Sequence, residues 1–190
     1  MRAIPIGLLL LALAGCSEPP QKELDEARSA IEAAQAAGAE TYAAEEFAGA
    51  TAALQKARAS VDERDYRQAL SYAIDARQRA IEASRLVPEA RAHVLAAADA
   101  ELKKTSDSVA HLESLLRAAH DAGASAQELR PSQETLHAAQ EALQETRTRL
   151  EARKYAEALT RLRGVRENVD ATANDVAPIL QRLKGKRRSG

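Results

Sequence analysis

From Gln21 to Leu183 the apolar residues fall mostly at alternating spacings of three and four. That spacing places one apolar stripe along one side of an α-helix, and such helices bury their stripes against one another. Alanine dominates the composition, 44 of the 190 residues. Alanine is the strongest helix former but buries little surface, so the seams must be thin and the helices closely packed. There is no Trp and one Phe, which excludes a thick aromatic core. From Ser17 onward, Leu, Ile, Val and Phe make up 29 of 174 residues, so the 45% hydrophobic total overstates the core. A fraction this low suggests disorder only with high net charge. Here 27 basic residues face 28 acidic ones, and the periodicity is strong. The near-balance also argues against a general nucleic-acid binder. The predicted fold is all-α: an elongated antiparallel helical bundle or coiled coil.

The pattern repeats internally. Leu24, Ala27, Ile31, Ala34 and Gly38 return 85 residues later as Val109, Leu112, Leu116, Ala119 and Gly123. Phe47, Ala50, Leu54, Ala57 and Val61 return 89 residues later as Leu136, Ala139, Leu143, Thr146 and Leu150, and Tyr66-x-x-Ala69-Leu70 as Tyr155-x-x-Ala158-Leu159. The change from 85 to 89 predicts a four-residue loop insertion that contains Pro131. The chain therefore reads as two tandem three-helix units, residues 21–87 and 88–183. Gly38 and Gly123 serve as left-handed caps. A tighter turn precedes each of Tyr66 and Tyr155, and Asp65 with Gln68 has capping-box spacing. Pro88 is expected to break or sharply bend the helix between the units. The last helix is expected to end near Leu183, with residues 184–190 as a basic, frayed tail.

The N-terminus carries a different signal. Arg2 precedes a short apolar run that closes on Leu13-Ala14-Gly15-Cys16. The run is shorter than the roughly 18 residues a membrane span needs, which favours a signal peptide. The close of the run resembles a lipobox. That resemblance implies cleavage before Cys16, leaving residues 1–15 as signal peptide, and diacylglyceryl transfer to the thiol. Residues 16–20 then form the lipidated cysteine and its tether. Cys16 is the lone cysteine, so its acylation would leave no thiol for a disulfide or a metal site.

The stretch from Leu24 to Ser84 carries Ala37-Gly38-Ala39, Tyr42-Ala43-Ala44-Glu45-Glu46-Phe47 and Asp65-Tyr66-Arg67-Gln68-Ala69-Leu70, ending with Ala73, Ala76 and Ala80. It resembles the bacterial envelope family called domain of unknown function 4398. The resemblance implies an alanine-rich helical lipoprotein and supplies no catalytic residues. Some members add a peptidoglycan-binding domain, and no such sequence occurs here.

The search for chemistry finds little. His93, His111, His120 and His137 do not pair at i, i+3 or i+4 as a helical metal site requires. Phosphate-loop, HExxH and GxSxG motifs are absent. Tyr66 and Tyr155 read as turn-packing aromatics. Lys184, Lys186, Arg187 and Arg188 read first as a solvated terminus, and second as a weak contact for wall polymers or anionic lipid. The expected function is a non-enzymatic, lipid-anchored structural or adaptor lipoprotein of the bacterial envelope. Its expected position is the periplasmic face of the outer membrane, beside an envelope protein partner, with no cofactor. The competing expectation is an accessory subunit or small-ligand-binding lipoprotein.

Overall fold

The computed structural model describes residues 18–188. Among these the chain is all-helical: α1 (Gln21–Ala37), α2 (Ala39–Tyr42), α3 (Ala44–Asp62), α4 (Tyr66–Asp121), α5 (Ala126–Glu151) and α6 (Tyr155–Arg188). The chain divides into two compact units, with the boundary between Val87 and Pro88.

In the first unit α1, α3 and the start of α4 bury an alanine seam. One group holds Leu24, Leu54, Ala57, Ala73 and Ala76. A second holds Ala34, Ala39, Ala50, Ala80, Ala83 and Val87. The alanines at 27, 34, 50, 57, 73, 76 and 80 are fully excluded from solvent. Each contributes little area, so this core depends on close helix approach. The second unit uses larger side chains. Leu112, Leu116, Leu129, Leu143, Leu162, Val169, Val176 and Leu180 form its core. Fully burying a leucine or valine contributes about 1.5–3 kcal/mol, so the second unit carries the greater hydrophobic stabilisation.

The turns follow the repeat closely. Gly38 and Gly123 have φ of 96° and 100°, a left-handed region that a Cβ disfavours. The Gly38 amide donates to the Gln35 carbonyl at 2.9 Å, and 85 residues on Gly123 donates to His120 at 2.9 Å. The tighter turns match as well. Arg64 and Arg153 share φ of 61°. Asp65 donates to Ser60 at 2.8 Å, and Lys154 to Arg149 at 2.9 Å. Asp65 caps α4 by accepting the Gln68 amide at 3.0 Å. The Gln68 side chain does not close a capping box; its Nε2 donates to the Tyr72 hydroxyl at 3.1 Å.

Three expectations are corrected. Pro88 does not break the chain into two helices, because α4 is helical from Tyr66 to Asp121 with Pro88 inside it. Pro88 has no N–H for the Ser84 carbonyl, yet Val87 beside it is buried, and tertiary packing holds the helix through the lost bond. Pro131 lies in no loop; it sits inside α5, which Ser125 starts by accepting the Glu128 amide at 3.2 Å. The first unit interrupts its chain at Ala43 between α2 and α3, whereas the second runs one helix through the matching stretch. Four extra residues are about one helical turn, so the insertion extends the helix without rotating its seam off the core. Finally, α6 passes Leu183 and stays helical to Arg188, so Lys184 and Lys186 lie on a helix.

Candidate functional surfaces

Cys16 and the residues before it, Leu13, Ala14 and Gly15, lie outside the described residues. The described chain shows how soon after Cys16 regular structure begins. Pro19 and Pro20 precede α1, and their carbonyls accept the Gln21 and Leu24 amides at 2.8 and 3.0 Å. Proline lacks an N–H and has a fixed φ, so the helix starts only after the pair. Among the described residues no helix is long and apolar enough to cross a membrane.

The histidines stay apart. His93 and His137 lie near carboxylates of their own helix, Glu89 at 3.8 Å and Glu141 at 3.4 Å. Among the described residues no group of His, Cys, Asp and Glu is arranged to hold a metal ion. Tyr66 and Tyr155 are half-buried at the starts of α4 and α6. Lys184 and Lys186 are exposed.

The most organised polar cluster was not anticipated from the sequence. Glu101 is only 7% exposed. It accepts from Arg166 Nε at 2.6 Å, and Arg166 Nη1 donates to Asp170 at 3.2 Å. The hydrogen bond from Arg166 to Glu101, backed by its charge and by Asp170, raises the guanidinium pKa above its usual value. Fully buried Thr105 donates to the Glu101 carbonyl at 2.8 Å and lies 3.3 Å from the Leu162 carbonyl. The bonds from Arg166 and Thr105 tie α4 to α6 within the second unit. A signal for it existed. Arg166 is Arg77 moved by 89 residues, and Arg77 bonds Glu26 of α1. Both copies thus use this arginine to reach a carboxylate on another helix.

The surface depressions are shallow. One of about 230 Å³ lies between α5 and α6, with Thr135, Ala142, Arg161, Gly164 and Asn168 around it. It exists because Gly164 has no side chain and no neighbour within 4 Å of where a Cβ would stand. Another, of about 580 Å³, is a groove between α1 and α4 beside Glu26, Ala30, Arg77 and Ile81. The second groove also has Asp25 on its α1 side, with Glu26 paired to Arg77 of α4.

These features describe an all-helical protein with alanine-rich seams, charged outer faces and open grooves. Residues 22–112, just under half of the chain, match the family model described as Domain of unknown function (DUF4398). The match runs from α1 past Pro88 to residue 112 within α4, beyond the Leu24–Ser84 stretch that carries the resemblance in sequence. No match to the chain was found among curated proteins or solved structures.

Proposed function

We propose that this chain is a lipid-anchored protein of the bacterial cell envelope, built as two tandem three-helix antiparallel units. It acts without catalysis, by presenting helix faces to a protein partner. The observation that carries the reading is the lone cysteine after Leu13-Ala14-Gly15, five residues ahead of α1. A thiol there is the acceptor that lipoprotein processing requires, and the short proline tether would hold the first unit close to the bilayer. Two or more acyl chains anchor a protein stably where one binds marginally. Confinement to one surface would then strengthen weak helix-face contacts by raising effective concentration. Ser17 is not the aspartate that resembles an inner-membrane retention signal, which favours the periplasmic face of the outer membrane.

Intact-mass analysis of the chain expressed in a Gram-negative host tests the anchor. The reading expects loss of residues 1–15 and a lipid adduct on Cys16, and accumulation of precursor for Cys16→Ala. Cleavage elsewhere without added lipid would sink it. Crosslinking in intact cells should recover a partner with wild type, and soluble protein lacking residues 1–16 should bind the same partner more weakly. If instead a small metabolite at sub-millimolar concentration raises the melting temperature by several degrees, ligand binding is the better account.

A further inference from the structure

The open groove between α5 and α6 has a counterpart in the first unit. Moved back by 89 residues, Thr135, Ala138, Gly164 and Asn168 become Glu46, Gly49, Asp75 and Arg79. There the groove is filled. The Arg79 side chain lies across Gly49, with Nη1 only 3.0 Å from where a Cβ on that glycine would stand. Both carboxylate oxygens of Asp75 accept from Arg79 Nε at 3.1 Å, and Glu46 lies 3.8 Å from its Nη1. Two acids on the groove walls thus hold an arginine of the same chain flat between α3 and α4.

The second unit keeps the groove and changes every part of that arrangement. Asn168 stands where the arginine was, and about 230 Å³ is left open beside it. Thr135 and Gly164 replace the two acids, and nothing lies within 4 Å of a Cβ placed on Gly164. Arg161 lines the groove where the first unit has Tyr72, whose ring takes Lys56 at 5.7 Å. The residue matching Lys56 is Glu145. Glu145 pairs with Arg149 at 2.9 Å, and Arg161 acts on it only at longer range. Arg161 itself makes no hydrogen bond or ion pair among the described residues. The walls have lost two negative charges and gained a guanidinium that no carboxylate holds.

We propose that this groove receives a glutamate side chain of a protein partner, with its carboxylate bonded by Arg161 and its stem lying over Gly164. Size and charge select that occupant. The open volume is below the roughly 300–1,000 Å³ of clefts that enclose small-molecule ligands, whereas one long side chain is what the matching groove holds. The acids that hold Arg79 are gone, so a cation entering here finds no counter-ion. A carboxylate finds a guanidinium, which can bond both of its oxygens at once. The first unit cannot make the same contact, because Arg79 already fills its groove. The contact presupposes the partner-binding role proposed above and specifies what the partner must carry.

Amide NMR of the full-length chain in mild detergent is the first test, titrated at constant ionic strength with a glutamate residue capped at both ends and with an arginine residue capped the same way. The capped glutamate should saturate shifts at Gly164 and Asn168 with a dissociation constant in the millimolar range, and the capped arginine should leave them in place. Arg161→Gln and Gly164→Leu should each weaken the glutamate about fivefold. Gly164→Leu should keep its helical circular dichroism, because a side chain there meets no neighbour. Arg163→Gln, the same change of charge at an exposed position of α6, should bind as wild type does. Equal binding by all four chains, or tighter binding of the capped arginine, overturns the proposal. The second test treats isolated envelopes containing Arg161→Lys chains with a carbodiimide. An amide should form between position 161 and a partner glutamate, and adding Gly164→Leu should abolish it. If a partner cross-links only through other positions, this proposal fails and the adaptor role stands. If no partner cross-links from any position, both fail, and a groove that still selects glutamate belongs to a free acid.

Discussion

Leu162 and Ala73 occupy equivalent places in the two copies, 89 residues apart, and both are fully buried. The two cores ask for side chains of opposite size there. Leu162→Ala removes three carbons at about 0.8 kcal/mol each, about 2.4 kcal/mol in transfer alone. Leu112, Leu116 and Val169 belong to the same core, and they will relax only partly into the space. The residual cavity brings the cost to about 3–4 kcal/mol. For a chain of this size that lowers the melting temperature by roughly 6–16 °C. Ala73→Leu adds the same three carbons to a site shared with Leu24, Ala27, Leu54 and Ala57. It has no void to enter, and overpacking should cost about 1–3 kcal/mol. Urea unfolding followed by far-ultraviolet circular dichroism measures both values. Hydrogen exchange assigns each loss to its own unit. If Ala73→Leu lies within about 0.5 kcal/mol of wild type, the alanine seam has slack and the close-approach account of the first unit is wrong. If Leu162→Ala costs less than about 1 kcal/mol, the second core is not packed as described.

Pro88→Ala restores an N–H opposite the Ser84 carbonyl inside α4, so it should stabilise the chain by up to about 3 kcal/mol. Slower amide exchange around residues 84–92 would report it, and faster exchange there would contradict the continuous helix. Arg64→Gly and Arg153→Gly each relieve a left-handed residue with φ of 61°; each should gain about 0.5–1 kcal/mol, with the same sign in both copies because the turns share their hydrogen bonds. Hydrogen bonds from Arg85 and Arg149 hold the carboxyls of Glu82 and Glu145 respectively below the usual carboxylate range. A depressed folded pKa contributes stability that is present above the unfolded value and is lost as pH falls through the folded one. Melting temperature should therefore decline below about pH 4.5, and the double variant Glu82→Gln, Glu145→Gln should show a shallower acid limb than wild type.

What was legible in the sequence was local or strictly periodic. The three-four spacing implied helices, and the described residues are helical. Gly38 and Gly123 stop helices because a left-handed residue is cheapest without a Cβ, a property of one position. The turns before Tyr66 and Tyr155 were visible as charged breaks in the seam. Leu54 and Leu143, matched by the repeat, are both buried. The prolines were misjudged for one shared reason. A proline lowers helix stability by a roughly known amount, but only the packing of its neighbours decides whether the helix survives that cost. At Pro88 and Pro131 it survives. The one-turn helix α2 escaped notice because four residues carry too little periodicity to register.

The amino-acid sequence by itself determined the helices, their seams, the caps at Gly38 and Gly123 and the repeated pattern of apolar positions. These follow from backbone preferences and from which residues can be hidden from water, and both act over a few turns of chain. Tertiary structure decided the rest. It buried Glu101 against Arg166, 65 residues away, and carried α4 through Pro88. It also left Leu70, Ile74 and Ile81 exposed on α4. Those outcomes depend on which helix lies next to which, because only a neighbour from a distant part of the chain can compensate a buried charge, hold a helix through a proline or leave an apolar row without a cover.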